Sequence, residues 1–187
     1  MGLYQLFSDI VDYPNFHLSA KVKECIHILS SRKDRAATLL EEFQAFFEET
    51  SLNRVQEIFT KTFDLQAECS PYIGYHLFGE GSHRAMFMAG LKESYRMVDL
   101  PLTNELPDHL SVILRFLETS SDPEEKEELI YLCLVPALGK MLDGFGGEGN
   151  PYQRVLESLL IVIQQDMETK DEKVSPALEL QETHHGG

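Results

Sequence analysis

Residues 105–118 carry the sequence ELPDHLSVILRFLE, and the spacing of their apolar side chains predicts the fold class. On a helix that turns by about 100° per residue, one apolar stripe forms along this stretch. Its members are Leu106, Leu110, Ile113, Leu114 and Leu117. We expect a core-packed helix from about Asn104 to Glu118. Pro107 is compatible with its first turn, where backbone N–H groups have no helical partner.

Similar three- and four-residue spacing of apolar side chains continues through most of the chain, and no segment shows the alternation and hairpin turns of β-strands. Glycine and proline interrupt the pattern at residues 64–83, which predicts a loop with one short helical turn. Residues 129–135 are apolar all round, which predicts the central buried helix. We predict an all-α, single-domain bundle of about seven to eight helices. This domain is expected over residues 1–168, followed by a polar, flexible tail at 169–187.

The charge of the chain restricts its partners. It has 187 residues, with 16 Lys and Arg against 31 Asp and Glu, and a formal net charge of −15. Such a charge repels nucleic acid phosphates and anionic membrane surfaces, and it attracts a cationic partner such as a basic peptide. The alternative interpretation is that the acidity only keeps the protein soluble.

Cysteine usage and the absence of a membrane-directing pattern predict a cytoplasmic protein. The three cysteines, Cys25, Cys69 and Cys133, have no zinc or redox spacing, and buried free thiols suit a reducing compartment. The first residues lack a basic stretch before a long apolar run, so we expect no secretory signal. No uninterrupted apolar run approaches the roughly 20 residues of a membrane span.

Two patterns in the sequence resemble sites of chemistry, and each is weak. Gly144, Gly146 and Gly149 match a dinucleotide-binding pattern, but they follow a predicted helix and not a strand, which favours a helix–helix connection. Glu80 and His83 resemble half of a carboxylate di-iron site, which needs a second copy on a facing helix. No serine or cysteine lies in a recognisable nucleophile motif. The sequence therefore favours a binding protein over an enzyme.

The segment at residues 107–109 is the strongest candidate for binding. Asp108 and His109 stand beside a helix whose apolar surface is widened by Val112 and Phe116. One interpretation is a well-started helix with a half-buried histidine. The functional interpretation is a polar handle next to an apolar groove, suited to a peptide that brings both charge and hydrophobic anchors.

Four stretches together resemble a known family. Residues 105–118 are the most specific, and residues 11–14, 59–64 and 76–95 agree in order and spacing. Residues 11–14 are Val-Asp-Tyr-Pro. Residues 59–64 are an aromatic residue, three further residues and Phe-Asp. Residues 76–95 begin with His-x-x-Gly-Glu, and a Ser and an Arg follow. In these features the chain resembles the NarJ-type nitrate reductase assembly chaperones, within the TorD/DmsD group of redox-enzyme maturation proteins. The resemblance covers roughly residues 3–165.

This resemblance implies an all-helical cytoplasmic chaperone without catalytic activity and without a cofactor of its own. Its partner would be the N-terminal leader, a twin-arginine signal or its remnant, of a molybdoenzyme catalytic subunit. The chaperone would hold the apo-subunit while molybdenum cofactor and iron–sulfur clusters are inserted. It would be a monomer or a weak homodimer. The expected peptide-binding residues are Pro107, Asp108, His109, Arg115, Phe63, Asp64, Tyr72 and His76.

Two alternatives remain open at this point. The client is expected to be a nitrate reductase, but a related enzyme that acts on dimethyl sulfoxide, selenate or a hydrocarbon is also compatible. In the other alternative, the chain is a small helical enzyme or metal protein that uses His76, His83 and His109 with nearby carboxylates.

Overall fold

The chain folds into a bundle of α-helices, as the apolar spacing predicted. The computed structural model describes residues 2–31, 35–66, 69–101, 104–146 and 149–182, with side chains to residue 168. The helices are α1 (Leu3–Ile10), α2 (Leu18–Ser30), α3 (Arg35–Glu49), α4 (Leu52–Phe59), α5 (Ile73–Phe78), α6 (Ser82–Met97), α7 (Leu110–Thr119), α8 (Pro123–Leu129), α9 (Val135–Asp143) and α10 (Pro151–Glu182). A π-helical turn, Thr60–Asp64, continues α4, and another, Ile130–Leu134, joins α8 to α9.

The core lies where α7 and the first half of α10 meet the N-terminal helices. α7 packs against α1, and α10 packs against α3 and α9. Seven of the ten residues of α7 are buried, and they include Val112 and Phe116, which we expected to widen an apolar groove beside residues 107–109. The buried side chains of α10 repeat every three or four residues, as expected of a helix with one face on a core. They are Tyr152, Val155, Leu156, Leu159, Val162 and Ile163.

Helix α7 begins at Leu110, so the prediction of a helix from Asn104 was wrong over residues 104–109. These residues approach the segment before α5 in an antiparallel bridge between Tyr72 and His109. The Ile73 N–H donates to the Asp108 carbonyl at 2.8 Å, and the Leu110 N–H donates to the Pro71 carbonyl at 2.7 Å. The bridge satisfies backbone groups that a helix would otherwise have paired. Leu106, expected in the core stripe, is 44% exposed.

Residues 129–135 do not form the predicted central buried helix. Leu129, Ile130 and Leu134 are buried, but Tyr131 and Leu132 are exposed. The π-helical turn at Ile130–Leu134 has a wider turn than an α-helix, so it shifts the spacing of inward-facing positions. The all-apolar stretch therefore supplies both a core face and an exposed apolar face.

Several other predictions concern single elements. Helix α8 begins at Pro123, and the Asp122 carboxylate accepts hydrogen bonds from the N–H groups of Glu124 and Glu125. The short helical turn expected within residues 64–83 is α5. The backbone of α10 continues to Glu182, whereas residues 183–187 of the predicted tail lie outside the described part of the chain. The domain boundary at residue 168 stays a prediction.

Within the described part of the chain, none of the helices combines the length and apolar composition that a bilayer crossing requires.

Two buried tyrosines, Tyr95 and Tyr152, test the packing, because their hydroxyl groups differ in hydrogen bonding. The Tyr95 hydroxyl donates to the Pro107 carbonyl at 2.7 Å. Among the described residues, the Tyr152 hydroxyl has no partner, although its ring packs against Phe43, Phe59 and Phe63. An unpaired buried hydroxyl costs roughly 1–3 kcal/mol of desolvation.

We expect Tyr152→Phe to raise the free energy of unfolding by about 1 kcal/mol, since it removes an unpaired polar atom and keeps the ring. Tyr95→Phe should lower it by about 1 kcal/mol, because the carbonyl of Pro107 then loses its donor. Urea unfolding followed by circular dichroism measures both. Equal changes of the same sign in the two variants would contradict this account.

Candidate functional site

A cleft of about 590 Å³ opens between the π-helical turn after α4, helix α5 and the first turn of α6. The site draws on segments that are far apart in sequence and are brought together by the bridge at Tyr72 and His109. The lining residues are Phe63, Asp64, Leu65, Gln66, Ser70, Tyr72, Tyr75, Glu80, Arg84 and Leu106. Three of the residues predicted from sequence, Phe63, Asp64 and Tyr72, are therefore part of one surface.

The floor of the cleft contains a buried ion pair between Arg84 and Asp108. The Arg84 Nε donates to Asp108 Oδ2 at 2.7 Å, and Nη2 donates to Oδ1 at 3.3 Å. Asp108 has no exposed surface, and Arg84 is also buried. The remaining side of the guanidinium donates from Nη1 to Glu80 Oε1 at 2.7 Å, and Glu80 itself is exposed. Its two-pronged contact with Asp108 raises the pKa of Arg84 above its usual value, so the guanidinium stays charged.

Helix α5 can approach this ion pair because Gly74 has no side chain. A Cβ at that position would lie 2.8 Å from Asp108 Oδ2 and 3.0 Å from a ring carbon of Phe87. The approach brings Tyr72 and Tyr75, at the start and on the body of α5, over the guanidinium. The Arg84 Cζ lies 5.3 Å from the Tyr72 ring centre and 6.0 Å from that of Tyr75. The tyrosine faces thus form an aromatic wall fixed by a cation–π contact.

The Tyr72 hydroxyl is held as a hydrogen-bond donor. It donates to Glu105 Oε2 at 3.0 Å. Burial, followed by the negative charge of Glu105, raises the pKa of Tyr72 to about 12. The hydroxyl therefore remains neutral at physiological pH, and the aromatic wall carries no charge of its own.

Pro107, Asp108 and His109 are all interior, so they do not form the surface handle that we expected. The Pro107 carbonyl accepts from Tyr95, and Asp108 pairs with Arg84. His109 caps α7, because its Nδ1 accepts from the N–H of Ser111 at 3.2 Å. Each of the three residues supports the cleft from beneath. Their direct role in peptide binding stays a prediction.

Arg115 and His76, the other predicted site residues, do not line the cleft. Arg115 lies on α7, where its Nε donates to the Ser111 carbonyl at 3.4 Å. His76 is half-buried on α5, and its Nε2 donates to the Ser70 carbonyl at 2.6 Å. Desolvation lowers the pKa of His76. The histidine thus anchors α5 to the loop before it, and Lys140 of α9 donates to its carbonyl at 2.6 Å.

The sequence analysis missed Arg84, Tyr75, Glu80 and the two exposed leucines, Leu65 and Leu106, as parts of this surface. A signal was present for one pair. Glu80 and Arg84 are four residues apart at the start of a helix, which is the spacing of a helical ion pair. Glu80 was instead interpreted together with His83 as half of a metal site, so the ion pair with Arg84 was not predicted. Among the described residues, no group of three or more His, Cys, Asp and Glu side chains could hold a metal ion.

The cleft favours positive and apolar ligands. Asp64 and Glu80 are exposed carboxylates at its edge. Among the lining residues that the structure describes, Arg84 is the only cation, and its charge is offset by Asp108 and Glu80. Leu65 is 72% exposed and Leu106 is 44% exposed, so the cleft also presents apolar surface. The arrangement can therefore pair with a cationic group and cover an apolar one.

The ion pair gives a stability test. Asp108→Ala leaves the guanidinium of Arg84 buried without its main partner, and we expect a loss of about 3–5 kcal/mol in the free energy of unfolding. Glu93→Ala breaks the exposed Arg96–Glu93 pair on the same helix and should cost less than about 1 kcal/mol. The double variant Arg84→Met with Asp108→Leu should lose less than Asp108→Ala does, because it leaves no unpaired charge in the interior. Urea unfolding of the four proteins measures these values. A loss at Asp108 no larger than that at Glu93 would contradict the role of the ion pair.

His109 gives a pH test. Desolvation lowers its pKa below the value of about 6.5 that it has in an unfolded chain. The unfolded state therefore binds more protons, and stability should fall as the pH drops below about 6.5. His109→Asn keeps an acceptor for the Ser111 N–H but cannot titrate, so its unfolding free energy should change less between pH 7.5 and pH 5.5, roughly the interval over which a histidine charges. His83→Asn, at an exposed position, is the control. Equal pH dependence in all three proteins would exclude His109 as a contributor.

The fold is shared with a solved structure. A crystal structure of a protein described as a redox enzyme maturation protein, from Archaeoglobus fulgidus, superposes with a TM-score of 0.59 at 20% sequence identity. The alignment covers 86% of this chain and 91% of that chain. At this level of identity, the likeness shows the fold alone.

Curated relatives are found in Mycobacterium tuberculosis. The nitrate reductase-like protein NarX of strain CDC 1551 / Oshkosh and that of strain ATCC 25618 / H37Rv are each 29% identical to this chain over 136 residues. The matched part is 72% of this chain and 20% of the relative. The chain thus spans about a fifth of the length of the curated relatives it matches.

A sequence profile of the family described as nitrate reductase delta subunit matches residues 31–136. This range is more than half of the 187 residues, and it contains every residue that lines the cleft. The resemblance stated from the sequence motifs is thereby confirmed, and the chain belongs to the nitrate reductase delta subunit family.

Proposed function

We propose that this protein is a dedicated maturation chaperone, and not an enzyme, that binds the N-terminal leader of a respiratory molybdoenzyme catalytic subunit. It holds the apo-subunit during insertion of molybdenum cofactor and iron–sulfur clusters. Membership of the delta subunit family supports this function. The printed name of the relatives, nitrate reductase-like protein, favours a nitrate reductase as the client. Such a chaperone acts in the cytoplasm, where the apo-subunit is made.

The observation that carries the proposal is the cleft itself, which combines exposed apolar side chains with carboxylates. Leu65 and Leu106 expose apolar surface on its walls, and Asp64 and Glu80 lie at its edge. A basic leader with apolar anchors matches both features, since each anchor removes leucine surface from water and each cation finds a carboxylate.

The aromatic wall adds a second means of holding cations. Tyr72 and Tyr75 already lie close to the guanidinium of Arg84. A leader arginine can stack on a free part of these rings while its charge pairs with Glu80 or Asp64. Arg84 offers little repulsion, because Asp108 pairs with it in the floor.

The predicted site residues then divide by role. Asp64 and Tyr72 contact the leader, and Phe63, which is buried, supports the wall of the cleft from within. Pro107, Asp108 and His109 position the aromatic wall and the ion pair. We assign His76 and Arg115 to the framework around the cleft, on the contacts that they make with backbone carbonyls.

The net charge of −15 adds a long-range contribution. It draws a basic leader toward the protein and raises the association rate at low salt. Because exposed charges are screened by salt, the affinity should fall as ionic strength rises.

Calorimetry with a synthetic basic leader peptide of the client tests the site. We expect Leu65→Asp to weaken binding at least tenfold, or about 1.4 kcal/mol, because it removes an apolar contact from the wall of the cleft and sets a carboxylate among apolar anchors. Asp64→Asn with Glu80→Gln should weaken it about fivefold, on the scale of about 0.5 kcal/mol per exposed pair, and should reduce its salt dependence.

The matched control is Glu41→Gln with Glu49→Gln, which changes the net charge equally at exposed positions of α3 outside the cleft. It should alter the affinity much less than the cleft variant does. If both charge variants act equally, the net charge alone attracts the leader and the cleft is not its site. If Leu65→Asp binds as tightly as the unaltered protein, the site assignment fails outright.

A further inference from the structure

A second apolar groove lies on the other part of α6 and shares no residue with the cleft. It has a volume of about 270 Å³ and runs between α6 and the segment formed by α8 and the π-helical turn after it. The lining residues are Phe87, Gly90, Leu91, Ser94, Phe116, Glu125, Glu128, Leu129, Leu132 and Cys133. Near α6, the leader cleft uses only Arg84 in the first turn and Glu80, two residues before the helix, whereas this groove follows the helix over residues 87–94.

The sequence leaves this surface apolar without covering it. Leu132 is 69% exposed, and its neighbour Tyr131 is also exposed, at the π-helical turn that displaces this apolar stretch from the core. Leu132 lines the groove, so its exposed apolar surface is available to a partner that enters there. The π-helical turn supports this view, since such turns are frequent at functional sites, and the other π-helical turn supplies Phe63 and Asp64 to the leader cleft.

The shape of the groove suits a helix better than a cofactor. Its volume is at the low end of the roughly 300–1,000 Å³ typical of small-molecule pockets, which suits a few anchoring side chains. On the α6 side, Gly90 and Ser94 lie one helical turn apart, and neither has a bulky side chain to keep a partner backbone away. Met86 and Met97 are exposed on α6, one before and one after the residues of this helix that line the groove. Flexible methionine side chains can adapt to varied partners.

The charges at the groove select the partner. Glu125 and Glu128 are the only charged residues among the described lining residues, and both belong to α8, which carries four glutamates and one lysine in seven residues. An apolar floor with a negative wall fits a helix that has an apolar face and basic residues beside it. A second copy of this chain is disfavoured as the occupant, because each copy carries a net charge of −15.

We propose that this groove is a second docking surface, separate from the leader cleft, that binds a basic amphipathic helix of a partner protein. The apolar face of that helix covers Leu132 and Phe87, and its basic residues pair with Glu125 and Glu128. The docking surface does not depend on the leader function, since the two sites have no residue in common.

Cys133 provides a reporter inside the groove. It is half-buried there, whereas Cys25 and Cys69 are fully buried. Burial raises the pKa of the Cys133 thiol, and the thiolate is the form that reacts with an alkylating reagent. Alkylation is therefore followed at about pH 9, above the ordinary thiol pKa of about 8.5. The rate of its alkylation, assigned by peptide mass spectrometry, reports occupancy of this groove and not of the cleft.

The probe is a synthetic amphipathic helix of leucine, alanine and lysine, about four turns or 14 residues long. We expect it to slow alkylation of Cys133 at least fivefold at saturation. The same peptide with glutamate in place of lysine should give no protection, because Glu125 and Glu128 repel it. Glu125→Gln with Glu128→Gln should reduce this discrimination between the two peptides. Protection by neither peptide, or equal protection by both, would overturn the proposal.

Two leucine variants separate this proposal from the leader site, because Leu132 and Leu65 are similarly exposed, at 69% and 72%. Leu132→Asp should weaken binding of the lysine peptide at least tenfold and leave the affinity for the leader unchanged. Leu65→Asp should do the reverse. If the leader peptide, added without the lysine peptide, protects Cys133, the groove is part of the leader site and the proposal of a separate surface fails. The same conclusion follows if Leu132→Asp weakens leader binding. If sedimentation shows a dimer that Leu132→Asp dissociates, the groove is a self-association surface and the proposal also fails.

Discussion

The ion pair between Arg84 and Asp108 is the contact on which the arrangement of the site depends. It joins α6 to the residue just before the cap of α7, across 24 positions of sequence, and it lies in the floor of the cleft. Transfer of both charges from water is costly, and good geometry with further hydrogen bonds must offset that cost. Here the guanidinium meets both carboxylate oxygens, a third contact reaches Glu80, and two tyrosine rings lie against it. Removal of either partner would therefore disturb several elements together.

The backbone around Asp108 is held as firmly as its side chain. Its carbonyl accepts from Ile73, and the adjoining Leu110 N–H donates to Pro71, so the start of α7 and the start of α5 are fixed to each other. Gly74 then allows α5 to lie directly against the ion pair. The cleft thus rests on a polar centre of fixed geometry, and a leader of the proposed kind would meet a surface that requires little rearrangement. Preorganisation of this kind improves affinity, because fewer side chains lose freedom upon binding.

The helices could be predicted from the sequence because their signals are local. Spacing of apolar residues, the Asp122-Pro123 start and the glycines of residues 64–83 each act within a few positions. Residues 104–109 were mispredicted because Pro107 is compatible with the first turn of a helix and equally with an extended segment. The hydrogen bonds that decide between them come from residues 71–73, and no local pattern reports such a contact. The motifs that identified the family include the residues of the ion pair, but they could not distinguish residues that meet a ligand from those that support the surface. Asp108 was for that reason expected at the surface, whereas the structure places it beneath a cleft that Phe63, Asp64 and Tyr72 line.

The two proposed binding surfaces give a reason for a buried ion pair at a place where apolar packing of similar volume is often at least as stable. Helix α6 contributes to both surfaces, and only Arg84, Leu91 and Tyr95 of its 16 residues are buried. A helix that exposes most of its circumference cannot be fixed by a broad apolar stripe, since that stripe would consume the faces used for binding. Directional contacts can fix a helix while they cover little of its surface. Arg84 fixes the first turn of α6 through Asp108, and Tyr95 fixes the last turn through the Pro107 carbonyl. Both contacts end on residues 107–108, so this short segment sets the position of α6 at its two ends. The segment that we first assigned to direct peptide contact therefore positions α6, the helix that contributes residues to both proposed surfaces.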